Sequence, residues 1–310
     1  MTRLTPQVLS VVLESLDQTP LTSAQPGDHI DLQLARGLTR SYSIVGQAGA
    51  PSRYEIAVAL DAQSRGGSRH VHQTLRVGDQ IDVTGPRNLF ELVPHAVHSL
   101  LVAGGIGITP IWSMVQALEQ RGQAWTLCYA ARSRIHAAYL DDIEALAQRT
   151  QCGRVITHFD DEHGAAPVDL RTLLASAPAD AHLYCCGPAP MLAAYEQAAA
   201  GRNPDHVHLE RFASPATAEP TDSAFEVVLA RSGQNLHIPA DRSILDVMLD
   251  CGIDAPYGCM QGVCGMCAVP VLEGTPDHRD NILSAEDRQA NATVVVCCSR
   301  SLTASLTIDL

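Results

Sequence analysis

At 310 residues the chain is too long for one average domain and long enough for two or three, each with its own core. Its 46% hydrophobic and 18% charged residues describe a folded globular protein rather than a disordered one. The formal charge of −13 lacks the basic footprint that nucleic acid requires and disfavours anionic membranes, while suiting a partner with a basic patch.

The N-terminal stretch to Ile30 interleaves apolar with polar residues and shows no basic segment followed by an apolar core and cleavage site. No run approaches the roughly 18 apolar residues of a membrane-crossing helix. The expected compartment is therefore the cytoplasm, with no membrane and no nucleic-acid partner. The ten cysteines are clustered, and without an export signal they point to metal or redox use rather than to disulfides.

Along the chain, residues 1–95 carry short alternating runs at Val8–Leu13, His29–Leu34, Tyr54–Leu60 and Gln80–Val83. Pro-Gly-Asp, Arg-Gly and Val-Gly-Asp turns separate them, which predicts a small antiparallel β-barrel. Residues 96–212 change to strand followed by helix. Strands are expected at Ser99–Ala103, Trp125–Ala130, Arg154–His158 and His182–Cys186, with helices at Thr109–Gln120, Ala138–Gln148 and around Met191–Ala199. This alternation predicts a parallel, doubly wound α/β sheet. Residues 213–223 hold two prolines and no apolar periodicity, and read as a linker. In 224–310, Phe225–Ala230 and Leu236–Ile238 flank a hairpin turn, and Ser243–Asp250 is helical with Ser243 or Asp241 as its cap. Thr293–Cys297 and Leu306–Ile308 close the chain as strands.

The most specific segment is Tyr257-Gly-Cys259-Met-Gln-Gly-Val-Cys264-Gly-Met-Cys267. Its C-x4-C-x2-C spacing is that of plant-type 2Fe–2S proteins. Two irons bridged by two sulfides need four thiolates converging on a compact rhomb. A tight loop can deliver three, and a neighbouring strand the fourth. Gly258, Gly262 and Gly265 let the loop turn sharply and bring backbone N–H groups toward sulfur. Zinc knuckles instead pair C-x2-C units or mix in histidine. Cys297 and Cys298 compete for the fourth place, since strand alternation sends them to opposite faces.

Two further turns bear on ligands. Strand Ser99–Ala103 runs into Gly104-Gly105-Ile106-Gly107-Ile108-Thr109-Pro110, where glycines allow a diphosphate to approach the backbone. Thr109 is placed to cap the following helix, and Pro110 suits its first turn. This departs from the usual dinucleotide fingerprint, because Pro110 stands where the third glycine would be. Strand His182–Cys186 breaks at Gly187-Pro188 and enters a helix through Ala189-Pro190-Met191, at the carboxyl edge where open α/β sheets bind ligands. In the first segment, Arg40-Ser41-Tyr42-Ser43 sets a planar aromatic beside small hydroxyls and an arginine, a set that suits an isoalloxazine and its phosphate.

The two glycine turns together resemble the pyridine-nucleotide lobe of the ferredoxin reductase superfamily, which implies that Cys186 is the catalytic residue, lying near the nicotinamide and helping to orient it. That resemblance also implies nucleotide contacts from Gly104, Gly105, Gly107, Thr109, Pro110, Cys186, Gly187, Pro188 and Met191. The R-x-Y-S motif resembles the superfamily's flavin motif. Gly66-Gly67-Ser68 resembles its second flavin-phosphate element, and the Gly85–Phe90 segment its strand end near the flavin. The cysteine segment resembles plant-type ferredoxins, in which 29 residues commonly separate the third and fourth ligands. The same number lies between Cys267 and Cys297 here, so the ligand set implied is Cys259, Cys264, Cys267 and Cys297.

The order of segments resembles the phthalate dioxygenase reductase family, including vanillate demethylase and phenoxybenzoate dioxygenase reductases. His278-Arg279-Asp280 and Cys297-Cys298-Ser299-Arg300 also resemble that family's ferredoxin segment. The resemblance implies a multidomain chain: an antiparallel β-barrel with FMN over 1–95, a parallel-sheet α/β nicotinamide domain over 96–212, a linker over 213–223, and a β-grasp plant-type ferredoxin domain over 224–310. Phe212 would stack on the flavin. Electrons would pass from NADH through FMN and 2Fe–2S to a separate Rieske-type oxygenase. Arg132 and Arg134, in Ala131-Arg-Ser-Arg134, leave a 2′-phosphate and hence NADPH open, and FMN over FAD rests on the resemblance. The competing readings are an FAD-type electron-transfer subunit for another dehydrogenase, disfavoured by the long gap to Cys297, and a non-enzymatic redox sensor.

Overall fold

A computed structural model describes residues 1–310 apart from Arg36, 47–51, Gln63, Arg65 and 213–222. Nearly all of the expected linker 213–223 therefore lies outside the described residues. By contacts the chain divides into two compact units. One holds Met1–Leu34 with Tyr42–Glu210, and the other holds Ala35–Ser41 with Arg211–Leu310.

The barrel segment is built from β1 (Thr2–Thr5), β2 (Val8–Glu14), β3 (Asp28–Ala35), β4 (Leu38–Ser43), β5 (Arg53–Ala59) and β6 (Asp82–Asn88), with the short helix α1 (Gly67–Gln73) between the last two; by contacts Ala35 and the first four residues of β4 fall in the second unit. They form two three-stranded sheets, β1-β2-β5 and β4-β3-β6, tied by a bridge between Ile44 and Ile56. β6 runs five residues beyond the expected Val83 because the register against β3 shifts between His29 and Asp31, opposite Gly85-Pro86. A bulge of this kind accommodates a proline that cannot donate to the ladder.

Beyond it, β7 (Ser99–Gly104), β8 (Trp125–Ala131), β9 (Gly153–Phe159), β10 (His182–Cys186) and β11 (Val207–Glu210) form one sheet in the order β11-β10-β7-β8-β9. Every pairing is parallel. The central strands are continuous apolar runs because helices cover them: α2 (Ile108–Gln120), α3 (Leu140–Arg149), α4 (Leu170–Ala175) and α5 (Ala189–Ala199). α3 starts two residues later than its periodicity suggests, since Tyr139 takes a left-handed conformation at φ 60°. The Tyr139 hydroxyl donates to Glu55 Oε1 at 3.0 Å, and Ser10 donates to the same oxygen at 2.7 Å. Barrel residues Val8, Val45 and Ala57 share one apolar cluster with Ile108, Ile111, Trp125 and Tyr129, so barrel and parallel sheet enclose a common core.

The second unit contains β12 (Phe225–Leu229), β13 (Asn235–Ile238), α6 (Ile244–Asp250), β14 (Ala268–Glu273), β15 (Pro276–Asp277), α7 (Ala285–Ala290), β16 (Thr293–Val295), β17 (Arg300–Ser301) and β18 (Ser305–Ile308). The main sheet runs β13-β12-β18-β14-β16, with β12 and β18 parallel at its centre and the remaining pairs antiparallel. α6 packs Ile244, Leu245, Val247 and Met248 onto it. Of the two candidate caps, Ser243 is the one used, accepting from the Asp246 amide at 3.1 Å, while the Asp246 carboxylate accepts from the Ser243 amide. Arg300 is buried and donates to the carbonyls of Ser223, Pro239 and Arg242, fixing the start of this unit to its interior.

Candidate functional site

The cysteine loop lies between α6 and β14. Gly262 and Gly265 have φ of 71° and 76°, and Met260 joins them at 54°, so the chain reverses repeatedly within a few residues. These reversals aim amides inward: the Gln261 N–H donates to Cys259 Sγ at 3.3 Å and the Cys259 N–H to Cys264 Sγ at 3.4 Å. The thiols fall into two contacting pairs, Cys259 with Cys264 and Cys267 with Cys297. Contact with Cys264 and then burial raise Cys259 far above an ordinary thiol, as contact with Cys297 and then burial raise Cys267. Sulfurs so placed repel one another once ionised, and a cationic centre relieves that repulsion. Among the described residues no three such donors gather at one point as a single metal ion would require. Two pairs of sulfurs with inward amides are the donor set that a two-iron centre takes, two thiolates to each iron.

The fourth cysteine is not on a strand. β16 ends at Val295, and the Cys298 and Ser299 amides both donate to its carbonyl, forming a turn. Strand alternation therefore has no bearing on the choice between neighbours. The turn sends Cys297 to Cys267, while Cys298 Sγ lies 3.7 Å from the Val295 carbonyl.

At the carboxyl edge of the parallel sheet the two glycine turns interlock. Ala103 pairs with Cys186, so Gly104 and Gly187 leave the sheet side by side. A Cβ at Gly107 would lie 2.1 Å from the Cys186 carbonyl oxygen, and one at Gly104 would lie 2.6 Å from Met191 Sδ and 2.7 Å from Pro188 Cδ. Only hydrogen at these positions lets the turns touch. Gly105 has φ 54° with open space around it. Thr109 does not cap α2: the helix begins at Ile108 after Gly107, and the buried Thr109 hydroxyl donates to the Ile106 carbonyl at 3.0 Å. Pro110 sits in the first turn as expected.

Cys186 is fully buried, and desolvation, Glu210 and Cys185 hold its thiol well above the ordinary range. It is a neutral, weak donor rather than a nucleophile. Its neighbour Glu210 escaped the sequence reading. The β10–β11 register pairs Cys186 with Glu210, and the thiol lies 4.0 Å from Oε2. Desolvation lifts the Glu210 carboxyl to about 8, although part of the residue stays accessible. A strand-terminal glutamate is an unremarkable feature until the register is known.

The cations after β8 are also rearranged. Arg134 donates through Nε to Glu162 Oε1 and through Nη1 to Glu144 Oε1, both at 2.8 Å, with its guanidinium 4.7 Å from the Phe159 ring centre. Arg132 is exposed, and its carbonyl accepts from the Asp161 amide at 3.1 Å.

The flavin candidates lie on two elements. Arg40, Ser41 and Tyr42 are half-buried on β4, and Ser43 is buried at its end; Arg40 Nη1 donates to the Thr39 carbonyl at 2.7 Å. Gly66 (φ 94°), Gly67 and Ser68 open α1, where Ser68 Oγ donates to Ser64 Oγ at 2.9 Å. Phe212 is 40% exposed.

Two outcomes follow. Cys297→Ser should abolish stoichiometric iron binding, whereas Cys298→Ser should retain it, read from iron content and visible absorbance. Glu210→Gln should change the pH dependence of stability. Because the folded carboxyl titrates near 8 against an ordinary 4.5, the protein loses stability as pH rises from 4.5 to 8. The melting temperature of the variant should rise relative to the parent across that window, with the gap constant above it.

Comparison with known proteins agrees with this arrangement. The model of a 2Fe-2S iron-sulfur cluster binding domain matches residues 227–302. That of an oxidoreductase NAD-binding domain matches residues 101–197. Phenoxybenzoate dioxygenase subunit beta of Ectopseudomonas oleovorans is 50% identical over 284 residues, which cover 92% of this chain and 87% of that protein. Tetrachlorobenzoquinone reductase of Sphingobium chlorophenolicum is 46% identical over 285 residues, covering 92% and 88%. The solved structure of phthalate dioxygenase reductase, described as modular for electron transfer from pyridine nucleotides to 2Fe-2S, superposes with a TM-score of 0.83 at 32% identity, covering 99% of this chain and 95% of that one. The chain belongs to the phthalate dioxygenase reductase family, oxidoreductases in which a pyridine-nucleotide lobe precedes a 2Fe-2S domain.

Proposed function

We propose that this protein is the NADH-dependent reductase component of an oxygenase system, carrying FMN and a 2Fe–2S centre and serving a Rieske-type terminal oxygenase in the cytoplasm. The observation that carries the reading is the interlock of Gly104–Pro110 with Cys186–Met191 at one sheet edge, in a chain that also gathers four thiols in pairs. Flavin and iron–sulfur chemistry together turn a two-electron donor into a source of single electrons.

The chain's own residues supply binding and orientation. Gly105 leaves open space before α2 where a diphosphate can approach the backbone, while Gly104 and Gly107 let Cys186, Gly187, Pro188 and Met191 pack against that turn from the other strand end. Cys186 and Glu210 stand as an uncharged pair at the end of β10 and β11, bordering the nicotinamide without competing for its hydride. Arg40, Ser41, Tyr42 and Ser43, with Gly66, Gly67 and Ser68, are assigned to the flavin and its phosphate, and Phe212 to its ring. Cys259, Cys264, Cys267 and Cys297 are the iron ligands. FMN rather than FAD follows the family resemblance. The name of the phenoxybenzoate dioxygenase relative supports an oxygenase partner, and its Rieske type follows the family resemblance.

NADH is favoured over NADPH because Arg134 is committed to two carboxylates, leaving the rim around the strand ends acidic through Glu144, Glu162, Asp160 and Asp161. A second reading has its own support: the tetrachlorobenzoquinone reductase relative suggests a small quinone as the electron acceptor.

Under anaerobic conditions NADH should bleach both flavin and iron–sulfur absorbance. A folded, iron-replete protein whose spectrum NADH leaves unchanged would overturn the assignment. Faster turnover with a chlorinated quinone than with a Rieske oxygenase would select the second reading. For specificity, calorimetry should show ADP binding more tightly than its 2′-phosphorylated form. Replacing Glu144 and Glu162 by Gln should narrow that preference by about fivefold, the order expected when two exposed charges are removed.

A further inference from the structure

Behind the cysteine loop, the segment His278-Arg-Asp-Asn-Ile-Leu283 is organised around one carboxylate. The Asp280 side chain is fully buried. Its Oδ1 accepts from the amides of Ile282 at 3.0 Å and Leu283 at 2.8 Å, the pattern of a side chain that folds its own loop. That loop reaches the cysteine loop at two points. The Asn281 N–H donates to the Gly262 carbonyl at 2.9 Å, between Cys259 and Cys264 in sequence. Ile282 Cδ1 lies 3.2 Å from where a Cβ on Gly265 would stand, between Cys264 and Cys267.

The loop's folding accounts for only half of this side chain. Asparagine offers the same Oδ1 acceptor without burying a charge. Asp280 Oδ2 has no hydrogen-bond partner among the described residues, and neither has the His278 Nδ1 that faces it at 4.0 Å. His278 is anchored from its other nitrogen, Nε2, to Asn291 Oδ1 at 3.2 Å. Nor is the charge neutralised locally by its neighbour, since Arg279 turns to Asp277, with Nε at 2.7 Å and Nη2 at 2.6 Å. Arg288 approaches it, with Nη2 3.8 Å from Oδ1 on a side chain that remains 39% exposed. A buried carboxylate oxygen without a protein donor is costly, so its presence calls for a role that an amide cannot fill.

We propose that Asp280 is a positioning and tuning residue of the iron–sulfur centre: it holds the Asn281–Gly262 clip against the cysteine loop and, as a buried anion beside that loop, lowers the centre's reduction potential. The physical basis is electrostatic. Reduction adds one electron to the centre and breaks no bond, so a fixed negative charge nearby in a poorly solvated region disfavours the reduced state. Arg288 opposes this from the solvent side. The inference rests on the four cysteines holding 2Fe–2S.

Two variants of the full-length, iron-loaded protein separate charge from folding. Asp280→Asn keeps the Oδ1 acceptor and removes the charge; Arg288→Gln removes the opposing cation. Spectroelectrochemical titration should give a more positive midpoint potential for Asp280→Asn and a more negative one for Arg288→Gln. Iron content and the electron paramagnetic resonance line shape of the reduced form should stay close to the parent. Unchanged potentials, or shifts of the same sign in both variants, would overturn the proposal and leave Asp280 a loop-folding residue only. Loss of iron from Asp280→Asn passes the test of charge to Arg288→Gln, where an unshifted or more positive potential overturns it. A parent protein that binds no iron would instead remove the ligand assignment, a distinct result.

Discussion

Four thiols gathered as two contacting pairs repel one another once ionised unless something positive is placed between them. Much of the second unit is organised around that constraint. Met260, Gly262 and Gly265 adopt left-handed backbone so that Cys259, Cys264 and Cys267 leave one short loop toward a common region. β16 stops at Val295 so that a turn, rather than a strand, delivers Cys297. The amides of Cys259 and Gln261 point at sulfur and supply partial positive charge where the thiols alone would repel. Each is a local departure from regular structure, and the surrounding sheet and α6 form the apolar body that sustains them.

In the first unit the corresponding constraint is steric. Two strand-to-helix turns occupy the same space because Gly104, Gly107 and Gly187 carry no side chains. Parallel pairing of β7 with β10 brings the turns into register, and the common core with the barrel keeps that edge fixed. A parallel sheet with both faces covered leaves its carboxyl edge as the open region, and the residues placed there are glycines, a proline and the uncharged Cys186–Glu210 pair.

The parts legible from sequence were those that local physics dictates. Apolar runs at β7, β8 and β10 and the periodicity of α2 and α6 identify elements because burial demands those patterns. The C-x4-C-x2-C spacing identifies a loop because few other uses require it. What stayed hidden depends on register or on a single backbone angle. Glu210 matters through its pairing with Cys186, a contact between residues 24 apart that no periodicity reveals. Arg134 looked like a free cation because Glu144 and Glu162 reach it from a helix and from the turn after β9. Thr109 looked like a cap because the helix start was placed one residue late, and Tyr139 displaced the start of α3 by a conformation that tyrosine rarely adopts.

The chain's acidity is distributed with a sense that its total of −13 conceals. At the nucleotide edge, desolvation neutralises Glu210, and a carboxyl that stays protonated there adds no charge against an incoming dinucleotide. Glu144 and Glu162 spend their charge on Arg134. Beside the cysteine loop the buried carboxylate of Asp280 has Arg288 at 3.8 Å and one oxygen without a donor among the described residues. Two carboxyls of the same chemistry thus carry different consequences: desolvation keeps the one at the nucleotide edge protonated, and on the proposal above the one beside the cysteine loop acts through its charge.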